Sequence, residues 1–186
     1  MLINRILILG VSGSGKTTLA QQVATRLGLT FYPTDQMYWQ TNWQPTPIEQ
    51  VDRQLDDILY RPEWVLDGNF EHRWQHVWPR ADCVVWLDYA LPTVLWQVTS
   101  RNLRWWVKRE KVWGRNAMPL SRAISGIRHA IKSHAAKRSR YPQYLAELDD
   151  ARVRRFANKM QTQAWVDTLV RTSPAIGGQS QPLMTR

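Results

Sequence analysis

The most informative residues form one short run, Gly10-Val-Ser-Gly-Ser-Gly-Lys-Thr17, which satisfies the pattern G-x-x-x-x-G-K-[ST] in full. Glycines in such a run let successive backbone N–H groups turn inward around a phosphate, and a helix that starts there adds partial positive charge. We therefore expect Lys16 to reach the β- and γ-phosphates of ATP, and the Thr17 hydroxyl to bind Mg²⁺. The predicted nucleotide-binding residues are Gly10, Ser12, Gly13, Ser14, Gly15, Lys16, Thr17 and Thr18.

Two carboxylates that end predicted apolar strands are candidates to support the metal. Asp67 closes the run Trp64–Asp67, and Asp88 closes the run Asp82–Asp88. We predict that Asp67 supports Mg²⁺, partly through water, or orients the acceptor. The alternative is an aspartate that only starts the turn before Gly68. Asp88 is expected to be structural, as a cap for the helix that begins near Leu91.

An acceptor site is predicted just after the second strand, at the sheet edge where open α/β folds bind ligands. Asp35 lies there and could take the proton of an acceptor hydroxyl or hydrogen-bond it, or it could be an ordinary loop or N-cap residue. Trp39 and Trp43 could stack on a planar or sugar-like acceptor. Packing this segment onto the sheet is the alternative role for both tryptophans.

Arg101, Arg104 and Lys108 recur at helical spacing and share one helix face, which we expect to be separate from an apolar stripe that includes Trp105. Arginines there could clamp the transferring phosphoryl group with bidentate hydrogen bonds. The alternative is a solvated basic face. Arg115 lies beside Gly114 in a predicted flexible loop and could enter the site when a lid closes.

The positive charge is concentrated in one segment. Lysine and arginine number 25 against 15 acidic residues, and 12 of these basic residues lie between Arg101 and Arg140, opposed only by Glu110. A local excess of this kind indicates an anionic partner, either nucleotide phosphates or a nucleic-acid backbone. The four histidines show no metal-ligand spacing and are expected at the surface.

Predicted strands alternate with predicted helices, which favours a doubly wound parallel α/β sheet. We predict a single domain over 1–171, with an acceptor-side segment at about 33–62, a helical and basic lid segment at about 101–140, and a flexible tail over 172–186. Cys83 is the single cysteine, so a disulfide framework is excluded. With no apparent signal peptide or membrane span, a cytoplasmic protein is expected.

The chain resembles the adenylate-kinase-like branch of P-loop small-molecule kinases, and specifically the bacterial group labelled "DNA topology modulation protein" or adenylate-kinase-related. The resemblance is carried by Gly10–Thr18, by Asp35 with Trp39 and Trp43, by Trp64–Phe70, by Trp86–Asp88, and by Arg101 with Arg104.

This resemblance implies a P-loop three-layer sandwich with a five-stranded parallel sheet of order 2-3-1-4-5, an acceptor segment after strand 2 and a mobile lid. Adenylate kinases carry Gly-Phe-Pro-Arg where this chain has Gly68-Asn-Phe-Glu71. AMP is therefore in doubt as the acceptor, and Asn69 and Arg73 are the nearest candidates to contact a different one.

These observations predict an Mg²⁺·ATP-dependent phosphotransferase that moves the γ-phosphate to a small acceptor. Lys16, Asp35, Asp67, Arg101 and Arg104 are its predicted catalytic residues. A second reading is an ATP-binding, nucleic-acid-associated protein that uses the basic segment 101–140. A third is a nucleotide-switched interaction module without turnover.

Overall fold

A computed structural model describes residues 3–108, 111–112, 116–117 and 119–169. The predictions for Arg115 and for the tail over 172–186 lie outside these residues.

The main sheet has five parallel strands, and its order confirms the expected arrangement 2-3-1-4-5. Along the chain the strands are β1 (Arg5–Gly10), β2 (Phe31–Pro33), β3 (Trp64–Asp67), β4 (Cys83–Leu87) and β7 (Val153–Phe156), in the spatial order β2-β3-β1-β4-β7. Two further strands, β5 (Lys111–Val112) and β6 (Asn116–Ala117), pair in antiparallel fashion to form a separate small sheet.

The register of β1 explains why the candidate residues meet at one edge. Ile8 of β1 pairs with Asp67 of β3, and Asp67 also pairs with Pro33 of β2. The glycine-rich loop follows β1 directly, and Thr34 follows β2 directly. The carboxyl ends of three neighbouring strands therefore bring these segments together.

Helices cover both faces of the sheet, because β1 is apolar on both sides. The helices are α1 (Lys16–Leu27), α2 (Thr34–Tyr38), α3 (Ile48–Leu59), α4 (Trp74–Val77), α5 (Leu91–Val107), α6 (Leu120–Leu145) and α7 (Lys159–Thr168). Ile6 and Ile8 pack with residues of α1, α5 and α7 in one core, whereas Leu7 and Leu9 pack with α3 and the end of α6 in another. The result is a three-layer sandwich.

Helix α6 continues beyond the predicted basic segment, which was expected to end near Arg140, and finishes at Leu145, although Pro142 lies inside its last turn. Tyr141 and Leu145 are buried in the second core, and Tyr144 packs beside them. The free energy gained by burying these apolar side chains exceeds the cost of the backbone hydrogen bond that the proline cannot donate.

Two segments predicted as loops contain regular structure. The segment after β2 forms α2 and a single 3₁₀ turn at Thr41–Trp43, and Trp39 pairs with Pro45 in an isolated antiparallel bridge. The predicted loop 112–120 contains the second strand of the β5–β6 pair. In the part of the chain described, no helix is both long enough and apolar enough to cross a membrane.

Candidate nucleotide and acceptor cleft

A cleft of about 1300 Å³ opens at the carboxyl edge of the sheet. The glycine-rich loop forms its floor, and the ends of β2 and β3 form one side. Helices α5 and α6 form the other walls. This volume exceeds that of a typical single-ligand pocket, so it can hold a nucleotide and a second small molecule.

The glycine-rich loop has the geometry of a phosphate cradle. Gly13 and Gly15 have left-handed φ values of 84° and 93°. A Cβ built on Gly13 would lie 2.7 Å from Cβ of Val98, so α5 packs directly on the loop. Helix α1 begins at Lys16, immediately after the loop, and its N-terminus faces the cleft with the loop amides.

Lys16 is folded back over this loop. Its Nζ donates to the backbone oxygen of Val11 at 2.9 Å. Burial lowers the pKa of Lys16 to about 8, although the carboxylates of Asp35 and Asp67 act in the opposite direction. The amine is thus held near the two predicted carboxylates before any anion binds.

Asp67 is fixed at the end of β3 by hydrogen bonds from two threonines. Thr17 Oγ1 donates to Asp67 Oδ2, and the backbone N–H of Thr34 donates to Oδ1 at 3.0 Å. Burial raises the pKa of Asp67, while the hydrogen bonds from Thr17 and Thr34 and the charge of Lys16 lower it. Asp67 is only 4% exposed, so its orientation is set by these partners.

The Thr17–Asp67 pair fits a magnesium ion. A hydroxyl and a carboxylate oxygen are hard donors, and Mg²⁺ in such sites takes only one or two protein ligands beside water and phosphate oxygens. Among the residues described, no group of three or more His, Cys, Asp or Glu side chains could hold a metal by itself. The donor set therefore suits an ion that arrives with a triphosphate.

Asp35 lies in the first turn of α2 and lines the cleft across from the glycine-rich loop. Burial raises the pKa of Asp35, Lys16 and Arg101 lower it, and the charge of Asp67 raises it further. Burial lowers the pKa of Arg101, which Asp35 raises. These mutual effects indicate that Asp35, Lys16 and Arg101 share one region of the cleft, where a phosphoryl group could pass from donor to acceptor.

Trp39, Trp43 and Arg122 form one cluster in the cleft lining, next to the end of α2. The two indoles meet edge to face at 5.7 Å, and the Arg122 guanidinium lies 5.4 Å from the ring of Trp39 and 4.4 Å from that of Trp43. The side chain of Asn116 in β6 accepts from the backbone N–H of Trp43 and donates to the carbonyl of Gln40, each at 2.9 Å. The small β5–β6 sheet is thereby tied to the segment that carries the tryptophans.

A second cluster, of charged and polar side chains, joins α6 to the segment after β3. Lys137 of α6 donates to Glu71 and, at 2.9 Å, to the hydroxyl of Tyr141. Tyr141 in turn donates to Glu71 at 3.1 Å. Glu71 occupies the position where the adenylate-kinase pattern has an arginine, and its charge is met by Lys137, which is only 7% exposed.

Most of the predicted site residues lie in the cleft, including Asn69, Arg101 and Arg104. The Asn69 side chain also accepts from the backbone N–H of Gly10 at 3.0 Å, so it supports the loop. Arg73 is not among the residues that line the cleft. Its guanidinium is paired with Asp56 of α3 at 2.9 Å.

Asp88 does not cap α5 as expected, since Ala90 occupies the N-cap position with no side-chain hydrogen bond. The Asp88 carboxylate instead pairs with Arg138 at 2.9 Å and accepts from Arg155 Nε at 3.0 Å. It therefore joins β4 to α6 and β7 and takes no part in the cleft lining.

Two further expectations need correction. Trp105 does not belong to the buried stripe of α5, which continues from Val98 to Asn102; it lines the cleft, and Arg101 stacks over it at 4.5 Å. His134 is buried instead of exposed, and its Nε2 contacts the carbonyl of Tyr89 at 2.9 Å.

Sequence reasoning missed three residues that line the cleft: Gln97, Arg122 and Lys137. It also missed Asn116, which lies outside the lining and holds the segment that carries the tryptophans. Gln97 precedes Arg101 by one helical turn, so the spacing that identified the arginine face could have found it. Arg122 and Lys137 were counted only among the basic residues between Arg101 and Arg140, so neither was singled out. Asn116 becomes visible only through the contact between two segments that are far apart in sequence.

The sheet order and the loop geometry define a P-loop protein with the fold of small-molecule kinases. Shikimate kinase from Bacteroides thetaiotaomicron matches with a TM-score of 0.55 and 16% identity over 89% of this chain and 95% of its own. Shikimate kinase from Acinetobacter baumannii in complex with shikimate matches with a TM-score of 0.53 and 18% identity over 89% of each chain. A gluconokinase from Sinorhizobium meliloti 1021 matches with a TM-score of 0.51 and 15% identity over 89% of each chain.

Similarity at the level of sequence is shorter. A probable gluconokinase from Xenopus tropicalis is 40% identical over 65 residues, which cover 30% of this chain and 34% of the relative. The match thus spans about a third of the length of that curated relative. No protein-family model matches the chain.

Proposed function

We propose that the protein is an Mg²⁺·ATP-dependent phosphotransferase that transfers the γ-phosphoryl group to a small acceptor. The observation that carries this proposal is the convergence of Lys16, Asp35 and Arg101 in one cleft. A P-loop alone would serve any nucleotide-binding protein. A half-buried carboxylate and an arginine in the same cleft add a base for an acceptor hydroxyl and a cation for the transferring phosphoryl group.

In this proposal the acceptor hydroxyl lies against Asp35. Its oxygen forms a bond to the γ-phosphorus, the bond from that phosphorus to the β–γ bridging oxygen breaks, and ADP leaves. The hydroxyl proton passes to Asp35, whose raised pKa makes it a better base than a free aspartate. Lys16 and Arg101 stabilise the charge on the phosphoryl oxygens, with Arg104 further along the same wall.

The Thr17 hydroxyl and the Asp67 carboxylate would hold Mg²⁺, directly or through water. When bound, the ion would neutralise charge on the β- and γ-phosphates. Thr34 keeps Asp67 in the orientation this requires, through the hydrogen bond from its backbone N–H to Asp67 Oδ1.

We further propose that the acceptor is a small hydroxylated compound and not a nucleoside monophosphate. Glu71 stands where an arginine would grip a monophosphate, and Arg73 is occupied by Asp52 and Asp56. Indoles beside carboxylates suit a compound with both C–H faces and hydroxyl groups. The printed names of the similar structures, shikimate kinase and gluconokinase, agree with such an acceptor.

The nucleic-acid alternative receives no support from the arrangement of the basic segment. Lys137 is paired with Glu71, Arg138 with Asp88, and Arg122 is stacked on two indoles. Arg101 faces the cleft. The charge excess is therefore partly used inside the protein, and the affiliation with the "DNA topology modulation" group stays a prediction from the sequence alone.

The test is ADP release from Mg²⁺·ATP across a panel of sugars, sugar acids, nucleosides and nucleoside monophosphates. We expect one hydroxylated acceptor to raise the rate at least about a hundredfold over water, within the range that correct positioning supplies. Asp35→Asn should remove most of that stimulation, about a hundredfold or more, because proton transfer is lost.

Lys16→Ala should abolish both the stimulated and the basal release. Asp57→Asn, at an exposed site on α3 outside the cleft, is the matched control and should behave like the wild type. Slow hydrolysis that no acceptor stimulates would overturn the proposal and leave a nucleotide-switched binding module as the better description.

A further inference from the structure

Helix α5 packs directly against the glycine-rich loop at Gly13. The position of a Cβ on Gly13 lies 2.7 Å from Cβ of Val98 and 3.2 Å from the carbonyl oxygen of Val94. Val94 and Val98 are themselves fully buried in the core shared with α1. Side chains on the adjacent face of α5 are therefore held at a set distance from the loop.

Gln97 lies on that face, beside the loop. The position of a Cβ on Gly15 is 3.6 Å from Gln97 Oε1, and Gln97 lines the cleft together with Gly15 and Lys16. Its amide nitrogen is buried and has no hydrogen-bond partner within the described part of the chain. A buried donor without a partner destabilises the folded protein, so its place beside the loop indicates a ligand that supplies the acceptor.

Arg101 shows the same feature one turn further along α5. Its Nε is also buried and unpartnered among the described residues, and it too lines the cleft. Residues four apart lie on one face of a helix. Gln97 and Arg101 thus form a row of two donors opposite the loop.

We propose that Gln97 is a ligand of the bound triphosphate, through a hydrogen bond from Nε2 to a non-bridging phosphate oxygen. This proposal rests on the nucleotide site of the proposed function and adds a residue to it. Gln97 lies beside Gly15, where the loop amides and the N-terminus of α1 direct positive charge at a phosphate. A neutral amide at this position adds a donor without adding to the cations of Lys16 and Arg101.

The alternative partner of Gln97 is the nucleobase, and a probe without a base separates the two. Affinities of Mg²⁺·ATP and of Mg²⁺·tripolyphosphate are measured by isothermal titration calorimetry for the wild type and for Gln97→Met. Methionine keeps the length and shape of the side chain and removes the donor. Gln54→Met, at an exposed position of α3 outside the cleft, is the matched control.

We expect Gln97→Met to weaken ATP and tripolyphosphate by the same factor, about tenfold to a hundredfold for one hydrogen bond to a charged group. Gln97→Glu should weaken both further, because it sets a carboxylate against the phosphates. Gln54→Met should change neither affinity. Weakening of ATP alone would overturn the proposal in favour of a contact to the base, and unchanged affinities would overturn it outright.

A second readout separates a ligand-binding role from a structural one. If Gln97 supported the fold, its replacement would lower the melting temperature of the ligand-free protein. Since its buried amide is unpartnered, we expect Gln97→Met to raise that temperature by about 2–4 °C, as removal of an unmet donor relieves a cost. A lowered melting temperature together with unchanged affinity would assign Gln97 to the fold.

Lys16→Ala distinguishes the failure of this inference from failure of the proposed function. If Lys16→Ala abolishes binding of both probes while Gln97→Met leaves them unchanged, the nucleotide site stands and the role of Gln97 falls. If Lys16→Ala also leaves them unchanged, the cradle does not bind a triphosphate and both proposals fall.

Discussion

At the scale of the residue, the cleft changes the ionisation of the groups that line it. Burial lowers the pKa of Lys16 to about 8 and raises the pKa of Asp35. Each shift moves its group towards the neutral form, and each group lies near a partner of opposite charge. Binding of an anion should therefore favour the protonated, fully charged form of Lys16.

A pH dependence of nucleotide affinity follows. Lys16 is charged below its pKa of about 8 and neutral above it, so a free protein at pH 9 must take up a proton to bind a phosphate with a charged amine. We expect the affinity for Mg²⁺·ATP to fall as the pH rises from 7.5 to 9.5, with about one proton taken up per ATP near the upper end.

Calorimetric titrations in two buffers of different ionisation enthalpy measure this proton uptake directly. Lys16→Arg keeps its charge over the whole range, so its affinity should show no corresponding fall. Affinity of the wild type that stays constant up to pH 9.5 would show that the amine is charged throughout.

The sequence identified the residues of the loop and of the strand ends because each is fixed by its neighbours along the chain. Lys16 and Thr17 follow from a local pattern, and Asp35 and Asp67 from the positions at which their strands end. Gln97 escaped prediction because its importance depends on the packing of α5 against Gly13, and a single glutamine on a helix carries no pattern.

At the scale of the element, the contact between α5 and the loop determines the shape of the cradle. Gly13 combines a left-handed φ of 84° with a Cβ position only 2.7 Å from Val98. A side chain there would meet both a conformational and a steric penalty. The glycine at position 13 therefore allows the loop and α5 to approach each other closely, although they are far apart in sequence.

Gly13→Ala should destabilise the protein by about 2–4 kcal/mol, as the sum of an overpacking cost and a left-handed backbone cost. Gly126→Ala is the matched control, because a Cβ there meets only Asn102 at 3.7 Å in the interior of α6. It should stabilise the protein by about 0.5–1 kcal/mol. Urea unfolding measures both, and a Gly13→Ala variant of wild-type stability would contradict the packing described.

The hydrogen bonds between Asn116 of β6 and the segment that carries Trp39 and Trp43 should restrict the local motion of that segment. Asn42 and Trp43 both have a φ of 59°, which non-glycine residues adopt at some cost, and Asn116 holds the Trp43 amide in place. Asn116→Ala should raise hydrogen exchange over 39–45 about tenfold or more, because both part-buried hydrogen bonds of Asn116 to this segment are lost.

Hydrogen-exchange mass spectrometry resolves this segment from the core strands, which should be unaffected. Asn158→Ala, which removes only the cap of α7, serves as the control and should leave 39–45 unchanged. Equal exchange over 39–45 in the wild type and Asn116→Ala would mean that the segment keeps its shape without Asn116.

Most element positions could be predicted because their apolar periodicity and end residues are local. The strand over Trp64–Asp67 agrees with prediction at both ends. The extension of α6 to Leu145 could not be predicted, since it depends on where Tyr141 and Tyr144 pack. The β5–β6 pair could not be predicted either, since β6 is held by contacts with the distant segment after β2.

At the scale of the whole molecule, the cleft joins elements from both layers of helices. Its lining comes from the loop after β1, from α2, from the segment after β3, and from α5 and α6. A ligand that bridges these elements stabilises the folded state as a whole, because the unfolded chain does not bind it.

We expect Mg²⁺·ATP at about a hundred times its dissociation constant to stabilise the fold by about 2.7 kcal/mol, and thus to raise the melting temperature by about 5–10 °C. Differential scanning calorimetry measures the shift. Lys16→Ala should show little of it at the same concentration, whereas the exposed variant Asp57→Asn should show all of it. An equal shift in Lys16→Ala would place the stabilising site elsewhere.

The sheet order was predictable from the resemblance, and the layers from the alternation of strands and helices. The distribution of charge was not. The basic excess between Arg101 and Arg140 indicated an anionic partner, yet Lys137 pairs with Glu71 of the segment after β3 and Arg138 pairs with Asp88 just after β4. Composition reports how much charge a segment carries, whereas only the fold reports what that charge faces.

The tryptophans of the cleft give the protein built-in optical probes. Trp96, which is 75% exposed, lines the cleft from α5, whereas Trp39 and Trp43 line it from the segment after β2. Indole emission responds to the polarity around the ring, so filling either half of the cleft should change the fluorescence of an unlabelled sample. Trp96→Phe and Trp43→Phe would divide that signal between the two halves, and stopped-flow fluorescence would then report the order in which ligands of the cleft bind.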